Sequence, residues 1–529
     1  MPGLRRAALG TSITLLLPLV LAGCSGAGPA VTSAGGRRLD GPRRDGEPSV
    51  SSQPSPGRPP VATTSPGTTP EGSAPTGPPS VPSAVPATGA ADGVGDELFP
   101  NAGNPGIDVQ HYDVELSYDP ASDEVVGTVG LELVLTEGRE QISLDVGPDL
   151  TIEQVTVDGA DAAFSVEQPE LRIPLGRRVA AWEPVEVTVR YGGDPEQISG
   201  PFGLDSGWFD TPGGSYVLNE PDAARTWLPS NDHPSDKATW TFTITVPEGL
   251  TAVANGMLVD HRSAAGSEVW VWQQDDPMAT YLVQLLTGDY EIVDGPVVGD
   301  TPTVNVALRD DVEQMQQYFD LNDDMIEFFE PLFGPYPLAS YGCAFTDSVA
   351  GLAMETQGRP LFSRDDFPAQ GDVGQELYLA HELAHQWFGN AVSPARWQDI
   401  WLNEGFATYA HWLWLDGIDD ADGGDLDRTA QVALVQRAII RGSTARPSAD
   451  ELFAFTVYDG GAVVLHALRK VLGDDAFFAT LRSWVSENVG TSRTTDDFIA
   501  HVEATNPGFD HGFWDAWLNA EVPPFAYPD

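Results

Sequence analysis

Five residues, H-E-L-A-H at His381 to His385, constrain this chain more than any other stretch. On a helix, histidines at this spacing share one face, so both imidazoles can reach a single ion. A catalytic zinc takes three protein ligands and keeps a fourth position open for water. Glu404 completes that set, with eighteen residues between it and His385 for the chain to turn back. It lies in W-L-N-E-G-F-A-T, Trp401 to Thr408, which has the character of a second amphipathic helix. Glu382, beside the first ligand, would sit over the open position as the base for water. Two helices carrying His381, His385 and Glu404 as metal ligands are therefore expected.

The rest of the chain divides by periodicity. From about 105 to 300 apolar residues alternate with polar or glycine positions. Val125, Val129, Leu131, Leu133 and Leu135 form one such run, Val185, Val187, Val189 and Tyr191 another, and Trp240, Phe242, Ile244 and Val246 a third. Turn signals such as Asp158-Gly159 separate the runs, as in an antiparallel sheet domain. After about 310 the period becomes helical, with Met315, Phe319, Ile326, Phe329 and Leu332 on one face. The clearest later helices span 373–390, 401–415, 428–441 and 459–471. The expected fold class is multidomain α+β, with a β domain over 98–300 and a mostly helical domain over 301–529.

The first residues read as an export signal. Arg5 and Arg6 precede an apolar run from Ala7 to Ala22, too short for a membrane span. Its end, L-A-G-C at Leu21 to Cys24, resembles the lipobox of bacterial lipoproteins. That resemblance implies removal of residues 1–23, acylation of Cys24, and anchoring to the outer face of a bacterial cell membrane. Residues 24–97 are rich in Pro, Ser, Gly and Thr and read as a disordered tether. Cys343 is the other cysteine, so no intramolecular disulfide is available, and a buried small hydrophobe is expected there. Beyond residue 91 the chain carries 20 Lys and Arg against 74 Asp and Glu, a net −54. Such a surface excludes nucleic acid as a partner and argues against anionic headgroups for the globular part. It fits a soluble exported protein, and its field would also favour cationic peptides.

H-E-L-A-H-Q-W-F-G-N followed by W-L-N-E-G-F-A resembles the gluzincin aminopeptidases, the group of aminopeptidase N and its relatives. Three further segments match in that family's order. Glu220 to Lys237 resembles the segment that closes off the substrate's amino end. Gly351 to Thr356, G-L-A-M-E-T, resembles the G-x-M-E-N exopeptidase motif. Val457 to Arg469 resembles the segment with the catalytic tyrosine. Leu352 and Thr356 depart from the motif, standing where the family has glycine and asparagine. The resemblance implies a saddle-shaped β domain, a thermolysin-like domain, one zinc ion, and peptide substrates with a free N-terminus. It makes Tyr458 the donor to the oxyanion and Glu220 and Glu355 the carboxylates that bind the α-ammonium. Ala353 and Met354, in the extended segment 350–356, would pair with substrate backbone like an added strand. The long helical C-terminal domain of larger members is not expected, and the default oligomeric state is a monomer.

Two residues are weighed by position. His411, seven residues after Glu404 on the same helix face, is expected as a packed histidine or one that supports a ligand. Asp399 is a candidate to orient a metal-bound histidine by proximity alone. The alternatives to a zinc aminopeptidase are a non-enzymatic surface binding protein on the same fold, and a relative that also opens lipid epoxides.

Overall fold

The computed structural model describes residues 93–200, 203–347, 349, 351–417 and 425–528. An eight-stranded sheet forms first. Its spatial order is 257–264, 267–279, 237–247, 107–119, 124–135, 184–193, 150–157 and 160–161. The alternating runs fold as their pattern requires. Val125, Val129, Leu131, Leu133 and Leu135 are all buried, as are Val185, Val187, Val189 and Tyr191. Trp240, Phe242, Ile244 and Val246 line the same kind of face. The sheet is not wholly antiparallel, however. Strand Ile107–Asp119 pairs parallel with Lys237–Pro247, in register His111 with Thr239 and Ser117 with Thr245. Alternation reports which face is buried, not which strand lies alongside, so this pairing leaves no local mark.

A second sheet draws strands from both sides of residue 300. Tyr290–Val298, Thr301–Leu308, Ala344–Thr346, Leu361–Ser363 and Ala353–Met354 lie side by side in that order. The last of these is an edge strand.

Helices dominate afterwards. They are α1 (Val312–Phe319), α2 (Asn322–Phe333), α3 (Gly371–His385), α4 (Trp401–Gly417), α5 (Leu426–Arg437), α6 (Tyr458–Leu472), α7 (Asp474–Asn488), α8 (Thr495–Thr505) and α9 (Gly512–Trp517). The apolar face read across Met315 to Leu332 is divided between α1 and α2, which break at Asp320 and Leu321. Every residue of α4 from Trp401 to Trp414 is buried, so this helix is a core element on all sides. Among the described residues no helix is long and apolar enough to cross a membrane. Cys24 lies outside the described residues.

Residues 93–97, assigned by composition to the tether, pack against the folded body. The Asp96 carboxylate is 3 % exposed and accepts from the Trp397 amide at 2.7 Å, just before α4. It also lies 3.3 Å from His233 Nε2. A single carboxylate satisfying distant donors is invisible to a compositional reading.

Arg359 joins the β domain to the second sheet. Fully buried, it donates to the carbonyls of Val304 at 2.9 Å, Ala254 at 2.9 Å and Gly256 at 3.1 Å. It also donates to Gln284 Oε1 at 3.1 Å, and its guanidinium lies 5.1 Å from the centre of the Trp272 ring. Burial brings its pKa down to about 10, which leaves it charged at neutral pH. Arg359→Met keeps most of the stem but strands these acceptors. Unpaired buried acceptors cost about 1–3 kcal/mol each, offset in part by removing a buried charge. A net loss of about 2–4 kcal/mol is expected, read as a lower midpoint in denaturant unfolding of the metal-free protein.

Candidate active site

The α3–α4 pair builds the centre. His381 and His385 stand one turn apart on α3 and Glu404 in the first turn of α4, all three buried. His381 Nε2 lies 3.2 Å and His385 Nε2 3.6 Å from the same oxygen, Glu404 Oε2. Ligands at about 2.0–2.1 Å from a tetrahedral ion stand about 3.3 Å apart, so each imidazole stands from the carboxylate oxygen about as a shared zinc would hold it, and all three ligand atoms lie within 4.8 Å of one another.

The far ring nitrogens decide which atoms are free to coordinate. His385 Nδ1 faces two acceptors, Asn403 Oδ1 at 2.5 Å and the Phe388 carbonyl at 3.2 Å. It must therefore carry the proton, leaving the lone pair of Nε2 toward Glu404. His381 Nδ1 meets His411 Nδ1 at 3.2 Å. For His381 to coordinate through Nε2, its Nδ1–H donates and His411 accepts. His411 then carries its own proton on Nε2, an atom with no hydrogen-bond partner among the described residues. Burial first, then His381 and His385, holds His411 well below the usual imidazole range, consistent with a neutral acceptor.

Asp399 does not take the orienting role. It accepts from Arg396 Nε at 2.9 Å and from the Thr495 amide at 3.0 Å, closing a turn ahead of α4. Its carboxylate is held by Arg396 and by the first residue of α8 instead. Asn403 does that work instead, and the sequence reading passed over it. The available signal was its place directly before Glu404 in W-L-N-E-G.

Glu382 is buried one position along α3, and its Oε2 has no hydrogen-bond partner among the described residues. Glu220 Oε1 is likewise buried and without one. Glu355, Glu382 and His385 present ligand atoms within 4.8 Å of one another, and so do Glu220, Glu355 and Glu404. Burial raises the pKa of Glu220 and of Glu382 well above the carboxylate range, and their neighbouring glutamates push further. For Glu404 burial also raises it, but His385 and His381 outweigh that and hold it low. Carboxylates in excess over cations, with oxygens left unpaired, suit a divalent ion and a further cationic group.

Glu355 follows the edge strand Ala353–Met354, which pairs with Leu361–Ser363 on one side only. Ala353 and Met354 therefore keep one backbone edge unpaired within the sheet. Leu352 has φ 82, the left-handed region that favours glycine. The side chain there adds strain of about 1–2 kcal/mol. Thr356 is buried and donates to the Arg359 carbonyl at 2.6 Å, tightening the turn after Glu355. Glu220 is carried by the loop after Gly214–Leu218. That loop is held where Asn219 donates to the Val283 carbonyl at 2.8 Å and Trp227 Nε1 donates to Asn219 Oδ1 at 2.9 Å.

Tyr458 opens α6, and its ring lies 5.9 Å from that of His381. Two glycines bring it there. A Cβ on Gly461 would stand 2.5 Å from the Gly405 Cα, so α4 and α6 touch backbone to backbone. Burial, then Glu404 and Glu220, keeps the Tyr458 hydroxyl protonated far above neutral pH, so it is a donor.

A model of the peptidase family M1 domain matches residues 318–517, and one of the peptidase M1 N-terminal domain matches 108–282. The crystal structure of an M1 zinc metallopeptidase from Deinococcus radiodurans superposes with a TM-score of 0.76. It is 30% identical over 82% of this chain and 99% of its own. The chain belongs to peptidase family M1. This bears out the gluzincin resemblance and the order of β domain before helical domain. Among curated relatives, a probable aminopeptidase 2 of Sulfurisphaera tokodaii is 25% identical over 419 residues, 75% of this chain and 52% of its own length. Human endoplasmic reticulum aminopeptidase 1 is 30% identical over 297 residues, 53% of this chain and 31% of its own. This M1 chain thus spans between about a third and half the length of these curated relatives.

In this M1 site His411 is the partner that fixes His381. Losing such a partner weakens metal binding by about 10–100-fold, so His411→Ala should loosen zinc by that factor in chelator competition. An unchanged zinc affinity would show that His411 only packs.

Proposed function

We propose that this chain is a zinc-dependent aminopeptidase that removes single residues from free N-termini, with one zinc held by His381, His385 and Glu404. The observation that carries the reading is Glu220 and Glu355 beside Glu404, a half-buried and a buried carboxylate next to the three-ligand set. A bound zinc would polarise the scissile carbonyl and acidify water. Glu382 Oε2 takes a proton from the attacking water and passes it to the leaving amine. The Tyr458 hydroxyl donates to the oxygen that gains charge. Glu220 and Glu355 hold the substrate's ammonium, each charge-assisted contact contributing about 1.5–3 kcal/mol. An acylated or internal nitrogen offers them no charge, so the register is set one residue from the chain end. The solved structure of a mutant of the Deinococcus enzyme with a Tyr-Ser-Ala substrate, 29% identical with a TM-score of 0.75, supports a peptide ligand.

The experiment compares a peptide bearing a free N-terminus with its N-acetylated twin. Only the free peptide should be shortened, one residue at a time; equal rates would replace this reading with an endopeptidase. Glu355→Ala should raise KM and lower kcat together, because misplacing the amine misaligns the carbonyl. Tyr458→Phe should act mainly on kcat, by about 10²–10³-fold. Glu382→Gln should retain zinc and lose turnover.

Export and anchoring through Cys24 are part of the same proposal, supported by Arg5, Arg6, the apolar run and L-A-G-C. Wild-type protein should fractionate with membranes and Cys24→Ala should appear in the medium. Wild-type protein found wholly in the medium would refute the anchor.

A further inference from the structure

We propose that Asn403 is a positioning residue that ties the metal half of the site to the amine-binding half through its single amide. Its oxygen holds His385 and its NH2 group holds Glu355. The proposal rests on the aminopeptidase reading for the role of Glu355, but not for that of His385.

Asn403 is fully buried in the first turn of α4, immediately before Glu404. Its Oδ1 lies 2.5 Å from His385 Nδ1, and its Nδ2 donates to Glu355 Oε1 at 2.9 Å. The amide has no second orientation available. Swapped, its NH2 would face His385 Nδ1 and force the ring proton onto Nε2, the atom that points at Glu404. Its oxygen would meanwhile face the Glu355 carboxylate, acceptor against acceptor. The amide orientation, the tautomer of His385 and the position of the Glu355 carboxylate are therefore set together.

The space for this bridge is reserved by glycine. A Cβ on Gly389 would stand 2.0 Å from Asn403 Oδ1, and Gly389 itself has φ 121. The next residue, Asn390, donates from Nδ2 to the Glu355 carbonyl at 2.6 Å. Glu355 is thus held by α4 through its side chain and by the turn after α3 through its backbone. A shift of Asn403 would move a metal ligand and an amine ligand at once.

A double-mutant cycle with two readouts tests this. Zinc affinity is measured by chelator competition, and KM for an aminoacyl-arylamide is measured at saturating zinc. Variants are Asn403→Leu, Glu355→Ala and the pair. Asn403→Leu should loosen zinc by about 10–100-fold in either background, since His385 loses its acceptor. It should raise KM by about tenfold or more when Glu355 is present and by less than about threefold when it is absent, since Asn403 reaches the amine only through Glu355. A merely structural role would raise KM equally in both backgrounds, and that result would overturn the proposal. Zinc affinity within about threefold of wild type would overturn it as well. Unfolding midpoints of the metal-free proteins are recorded alongside, and Asn403→Ala replaces Leu where the larger side chain is not accommodated. Wild-type protein inactive on the arylamide would overturn the aminopeptidase reading alone, because the zinc arm needs no turnover.

Discussion

Buried negative charge is the constraint on which the rest of this structure turns. Glu220, Glu355, Glu382 and Glu404 converge inside the fold. Removing a carboxylate from water costs several kcal/mol even after relaxation, so burial pushes Glu220, Glu355 and Glu382 toward their protonated forms until cations arrive to hold them charged. His381 and His385 supply part of that. The buried cations nearby do not supply the rest. Lys237 Nζ donates to the Asn390 carbonyl at 2.6 Å, and Arg359 is committed to carbonyls of the two sheets. What remains, a divalent ion and a substrate ammonium, is what the proposed chemistry brings in.

The scaffold that can carry such a site has to be rigid and apolar around it. The buried stretch of α4 from Trp401 to Trp414 places Asn403, Glu404 and His411 on one element. Its close crossing with α6 through Gly405 and Gly461 delivers Tyr458 to the same cluster. The second sheet delivers Glu355 from its edge, and the β domain delivers Glu220. Arg359 and Asp96 join these parts at points far apart in sequence.

What the sequence made legible follows from distance along the chain. His381, His385 and Glu404 are readable because two helices and a short turn fix their spacing locally. Alternating burial was readable strand by strand for the same reason. The roles of Tyr458, Glu355 and Glu220 came only with the family resemblance, since each is an ordinary residue until the fold brings it to the metal helices. The parallel pairing of 107–119 with 237–247 was hidden, because register between distant strands leaves no local pattern. Asp399 misled by proximity, whereas Asn403, the nearer neighbour, carries the hydrogen bond to His385. Which side of a helix a neutral amide faces, and what waits there, is a property of packing.

His381, His385 and Glu404 bring three ligand atoms within 4.8 Å of one another. X-ray absorption at the zinc edge of the loaded protein would show whether one ion joins them. A single zinc with two imidazole nitrogens and carboxylate or water oxygens at about 2.0–2.2 Å is expected. A spectrum lacking imidazole scattering, or showing a second metal nearby, would contradict that arrangement.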